Sequence, residues 1–139
     1  VALKGLSPGI NDVTTATMCV DYLTVIIGRL GRRRVLPRER RAPTGRVLTS
    51  RRSYEAFVSE AFGQVRQNAE GNIAMLHHLV RAFDTLGSLT NAPARRRVLR
   101  RQLEALGEVI ARTVTSPLER GALEASVKRV GARLDEAAR

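Results

Sequence analysis

The sequence predicts an all-α fold: a bundle of about five helices with one long basic loop. Three observations lead there. Apolar residues recur at i, i+3, i+4 and i+7 in five separate stretches. Helix-capping residues open these stretches, or Pro and Gly bound them. No stretch alternates apolar and polar residues as a half-buried strand would. The length of 139 residues suffices for one domain with a buried core. Residues 1–139 therefore read as a single helical, soluble domain, with residues 31–52 as an Arg-rich loop inside it. The chain begins at Val1, already in mid-pattern, and reads as a fragment of a longer protein.

The first helix follows Ser7-Pro8-Gly9-Ile10-Asn11-Asp12. Pro8 presets φ, and Gly9 takes the positive φ that a type II turn requires. Asn11 or Asp12 then caps the helix by accepting from a backbone N–H two or three residues on. The helix runs to about Leu30. Val13, Ala16, Cys19, Val20, Leu23, Ile26, Ile27 and Leu30 form a wide apolar stripe, which Met18, Tyr22 and Val25 widen further. So broad an apolar surface marks a helix central to the core. The remaining strip is Thr14, Thr17, Asp21, Thr24 and Gly28, a candidate for close contact with another helix. Asp21 within it is either exposed or hydrogen-bonded, because a bare buried carboxylate is too costly.

The basic segment comes next. Residues 29–52 hold ten arginines and a single acid, Glu39, which is +9 of the chain's net +11. Pro37, Pro43 and Gly45 exclude a helix, and Arg46-Val47-Leu48-Thr49 is at most a short extended piece. Ser53 caps the second helix, whose face is Tyr54, Phe57, Val58, Ala61, Phe62 and Val65. A break at Asn68 to Asn72, with Gly71, precedes the third, built on Ile73, Leu76, Val80 and Phe83. Pro93 opens the fourth, which carries Leu99, Leu103, Leu106, Ile110 and Val114 inward. Arg95, Arg96, Arg97, Arg100 and Arg101 read as its solvated face. Ser116-Pro117-Leu118-Glu119 has the residues of a capping box and opens the fifth.

Lys4-Gly5-Leu6-Ser7-Pro8-Gly9-Ile10-Asn11-Asp12, followed by Thr15-Ala16 and Asp21-Tyr22-Leu23, resembles the signature of an uncharacterised bacterial family, domain of unknown function 2254, "predicted membrane protein". Ser53 to Phe57 and Ala61 to Gln67 are similar to that family's next helix, and Ala94 to Ile110 to a later one. Where the family usually has Pro and an aromatic, this chain has Val13-Thr14. The resemblance implies transmembrane helices upstream of a soluble part, a bacterial cell-membrane setting and no known reaction. The excess of Arg fits a domain on the cytoplasmic side.

Composition excludes several functions. One cysteine, Cys19, rules out an internal disulfide framework; on the apolar stripe it reads as a small buried hydrophobe. No window has the roughly 18 uninterrupted apolar residues of a membrane span; the longest candidate, Thr17 to Ile27, is broken by Asp21. His77 and His78 are adjacent on a helix and point about 100° apart, a poor start for a metal site. Cys19 and His77 make a nucleophile pair only if the fold joins them. Asp12 and Asp21 stand about 13 Å apart along a helix, too far for a carboxylate dyad. No phosphate-binding loop is present. The expectation is therefore a non-enzyme with no cofactor, no metal and no small-molecule ligand.

Arg supplies 22 of the 24 basic residues, Lys4 and Lys128 being the other two. That preference suits phosphate or carboxylate recognition and equally a GC-rich genome. The basic segment has three readings: a solvated loop, a contact with an anionic membrane surface through Arg32, Arg33, Arg34, Arg38, Arg40 and Arg41, or a nucleic-acid-binding module. Its lack of aromatics offers no stacking platform for bases. The breadth of the first helix's apolar surface predicts a homo-oligomer, most simply a dimer, with the Thr14 to Gly28 strip at the contact.

Overall fold

A computed structural model of the chain describes residues 1–6, 12–33, 39–42, 45–48 and 52–136. Among these residues a short helix α1 (Ala2–Gly5) precedes α2 (Val13–Arg32). Two strands follow, β1 (Glu39–Ala42) and β2 (Gly45–Leu48), and then α3 (Tyr54–Asn68), α4 (Ile73–Ser88), α5 (Pro93–Thr113) and α6 (Pro117–Glu136). The five long helices are the five that the periodicity predicts, and the fold is an all-α bundle.

The helix boundaries follow from local chemistry. Asp12 accepts from the Thr15 amide at 3.0 Å, Ser53 from Ala56 at 3.1 Å, Asn72 from Met75 at 3.0 Å and Ser116 from Glu119 at 3.4 Å. Each supplies an acceptor to an N–H that has no partner inside its own helix. Gly71 sits at φ +72°, which breaks the chain between α3 and α4 at no steric cost. Its amide donates to Thr113 Oγ1 at the end of α5, at 3.1 Å.

The core forms around α4, and this corrects the expectation that the first long helix is central. Met75, Leu76, Leu79, Val80, Phe83 and Leu86 of α4 are all buried, and α2, α5 and α6 each pack on this helix. α3 lies against α5 and α2. Phe62 of α3 meets Phe83 edge-on, with ring centroids 5.3 Å apart, a favoured aromatic geometry. Arg66 donates to Gln102 at 2.6 Å and Gln102 donates to Ser59 at 3.2 Å, tying α3 to α5 through polar groups. α2, by contrast, buries Ala16, Val20, Thr24, Ile27, Gly28 and Gly31 and leaves much of its apolar surface outside. Apolar breadth shows that a helix has surface to cover; it does not show that the same chain covers it.

Both strands lie inside the long basic segment of residues 31–52, and β2 takes in Arg46, Val47 and Leu48 of the short extended piece expected there. β1 and β2 pair antiparallel, with Glu39 opposite Leu48, Arg40 opposite Val47, Arg41 opposite Arg46 and Ala42 opposite Gly45. Four-residue strands are too short for a period of two to stand out.

Candidate interaction surface on the second helix

Of the turn-and-cap residues singled out from the sequence, Ser7, Pro8, Gly9 and Asn11 lie outside the described residues, and so does the expected positive φ of Gly9. Asp12 is the cap: one carboxylate oxygen accepts from the Thr15 amide and the other from the Thr15 hydroxyl. The hydroxyl bond, more than the backbone one, holds the Asp12 carboxyl below the usual aspartate range. Gly5 packs against this start so closely that a Cβ there would stand 2.8 Å from the Asp12 carbonyl oxygen.

Part of the Thr14, Thr17, Asp21, Thr24, Gly28 strip makes a helix contact within the chain, against α4 and the residue that follows it. Thr24 is buried and its hydroxyl donates to the Val20 carbonyl at 2.7 Å. Gly28 lets Leu86 and Leu89 approach; a Cβ there would meet Leu89 Cδ1 at 2.7 Å. Asp21, exposed at the edge of the contact, finds His78 of α4 at 2.8 Å. Thr14 is exposed, and Thr17 turns its hydroxyl back to the Thr14 carbonyl at 2.8 Å. Thr24 and Gly28 are the part of the strip that is covered, because their small side chains permit the close approach that leucines would block.

The uncovered side carries Met18, Tyr22, Val25 and Ile26, each more than half exposed, with Tyr22 at 68%. Beside it runs an apolar groove of about 650 Å³ between α1, α2 and α3, with Leu3, Cys19, Tyr22, Ile26, Phe57 and Val65 among its walls. Arg52 and Glu60, paired with each other, stand on its rim. Cys19 is half-buried on the groove side, two residues and so about 200° around the helix from Asp21, which reaches α4. Among the described residues no three His, Cys, Asp or Glu side chains gather as a metal site.

The basic residues divide into two groups. Arg32 and Arg33 at the end of α2 are exposed; Arg40 and Arg41 stand in β1; Arg34 and Arg38 lie outside the described residues. The second group, at the start of α5, corrects the sequence reading of a solvated face. Arg96 is only 7% exposed. It donates from Nε to the Thr90 carbonyl at 2.9 Å and from a terminal nitrogen to the Arg133 carbonyl at 3.2 Å. Arg95 donates to the carbonyls of Gly31 and of Arg33, the latter at 2.7 Å, and its guanidinium lies 5.7 Å from the Tyr54 ring centroid. Two adjacent arginines thus supply donors to carbonyls at the carboxyl ends of α2, α4 and α6, where helices leave carbonyls unpaired. Cations at the amino end of α5 oppose that helix's own dipole, and the three carboxyl ends directed at them offset it. Burial of Tyr54 pushes its phenol above the usual tyrosine value, and Arg95 counteracts this only in part. Arg100 pairs with Glu104 and Asp135, Arg101 with Glu55, and only Arg97 of the five fits a simple solvated role. Nothing in the sequence distinguishes Arg96 from Arg97 except its place relative to Leu99 and Leu103 on the helix.

These features define a class: an all-helical bundle with one long amphipathic helix turned half outward and its cationic residues gathered at that helix's end. By length and composition Val13–Arg32 is sufficient to cross a membrane, which corrects the reading that Asp21 breaks the one candidate, since a single acid does not take the helix out of that range. The family model described as "Predicted membrane protein (DUF2254)" matches residues 1–85. The match covers more than half of the chain, which therefore belongs to this family. It ends within α4, so the Arg-rich run from Ala94 to Ile110 is outside it. No curated protein and no solved structure matches the chain.

Proposed function

We propose that the chain is the cytoplasmic helical domain of a bacterial integral membrane protein, with a structural, assembling or regulatory role and not a catalytic one. One observation supports this above the others. In a member of a predicted membrane protein family, residues 29–52 concentrate ten arginines against one acid. Such excess near a membrane marks the cytoplasmic face. That segment carries +9 of the chain's net +11, so nearly all of the surplus charge falls on it.

Limited trypsin digestion of the full-length protein in bacterial membranes tests the reading. Cleavage between residues 29 and 52 is expected in inverted vesicles and protection in intact spheroplasts. Cleavage in spheroplasts, or recovery of the full-length protein in the soluble fraction, would refute it.

A further inference from the structure

We propose that the outward side of α2 docks on an anionic lipid bilayer, its apolar residues entering the interface while the arginines at its carboxyl end bind lipid phosphates. This rests on the membrane setting proposed above and adds the surface and the lipid chemistry.

Met18, Tyr22, Val25 and Ile26 succeed one another at spacings of three and four, so they share one side of the helix. Arg29 continues the same row, four residues beyond Val25 and three beyond Ile26. Arg32 and Arg33, both exposed, follow it. A single helix about 30 Å long therefore grades from apolar to cationic along one side. Leu3 and Phe57 enlarge the apolar area across the groove. The neighbouring side is held on α4 through Thr24, Gly28 and the Asp21–His78 pair, and the row itself is already exposed, so docking requires no opening of the bundle.

The charge selects the occupant. The acids nearest the patch are already engaged, Asp21 by His78 and Glu60 by Arg52. Arg29 and Arg32 have no acidic partner among the described residues. An apolar strip with an uncompensated cationic end suits a surface that is apolar inside and anionic outside. Tyr22, with an apolar ring and a polar tip, is a residue type favoured at that boundary. A second copy docking by the same face brings the same cationic rim with it, so like charge opposes that pairing. Nucleic acid would engage the arginines and leave the apolar row uncovered.

Vesicle flotation of the 139-residue chain tests the assignment, using equal parts phosphatidylglycerol and phosphatidylcholine beside phosphatidylcholine alone. The chain has no tryptophan, so Tyr22→Trp reports burial of the face by its emission. Expected are flotation with the anionic vesicles, a blue shift on binding, and affinity for neutral vesicles lower by roughly tenfold or more. Arg29→Gln with Arg32→Gln weakens anionic binding by about fivefold per residue. Val25→Asn with Ile26→Asn abolishes the blue shift while the circular dichroism melt is kept; Met18→Gln serves the same purpose should that pair disturb folding. No flotation would overturn the proposal, and so would an unshifted emission or flotation indifferent to the apolar substitutions. A concentration-dependent dimer lost in the Val25/Ile26 variant, or tight duplex DNA binding, either of them without vesicle association, would assign the face or the arginines elsewhere. The trypsin sidedness result does not depend on any of these outcomes, so failure here leaves the cytoplasmic reading to its own test.

Discussion

Replacing Arg96 by Met removes a guanidinium while keeping a stem of similar length. At 7% exposure little water can reach the Thr90 carbonyl, which Arg96 holds at 2.9 Å, or the weaker acceptor on Arg133 at 3.2 Å. A hydrogen bond from a charged donor contributes about 1.5–3 kcal/mol net. Two such bonds, less the desolvation of the guanidinium that Met does not incur, give an expected loss of about 2–3 kcal/mol. For a domain of this size that lowers the melting midpoint by roughly 8–12 °C. Urea unfolding followed by circular dichroism at the helix band measures it, with Arg97→Met as the control. Arg97 is exposed, so its replacement should change stability by no more than about 0.5 kcal/mol. Arg96→Lys keeps charge without the planar fork and should fall between the two. Equal, small effects at positions 96 and 97 would refute the argument that buried donors to helix ends hold α4, α5 and α6 together.

Asp12 has a lowered carboxyl pKa in the fold, so its stabilising contribution is complete above the unfolded aspartate value and lost as pH falls through the lower folded one. Asp12→Asn, which keeps the capping acceptor, should flatten that acid limb in melts recorded from neutral to acid pH. Tyr54 has a raised pKa, so stability is full below the unfolded tyrosine value and falls as pH rises towards the folded one; Tyr54→Phe should remove this alkaline loss, and the absorbance titration of the phenolate should follow it. Gly5→Ala forces a methyl against the Asp12 carbonyl and should cost about 1–3 kcal/mol as an overpacking change. Gly87→Ala meets only the flexible tip of Leu134, at 2.5 Å, and gains about 1 kcal/mol of helix propensity in α4, so its urea midpoint should stay close to the parent's.

What could be read from the sequence was local. The periodicity of each long helix, the caps at Asp12, Ser53 and Ser116 and the break at Gly71 depend on residues within a few positions of one another. The sites at which tertiary partners decide were hidden. Met18 and Ile27 look alike as apolar letters, yet one faces outward and the other is buried, because the small side chains of Thr24 and Gly28 turn that side of α2 towards α4. Arg95 and Arg96 look like any surface arginines, because the carbonyls they bind belong to segments six to more than sixty positions away. The extended piece at Arg46-Val47-Leu48 was legible, but its pairing with β1 was not, because four-residue strands carry too little period. The family likeness was legible because Lys4 to Asp12 is an uncommon run of turn and cap residues; the surface that the structure points to lies one helix turn and more beyond it.

The Arg95 and Arg96 ties have an evolutionary consequence. Their acceptors are main-chain oxygens at Gly31, Arg33, Thr90 and Arg133, and every amino acid carries that same oxygen. The donor side is written in two codons; the acceptor side is written in none. Substitutions at the four acceptor positions that preserve helix geometry leave these bonds intact. Alanine scanning there would miss the joint altogether, while relatives can drift at those positions and still bring three helix ends to one place.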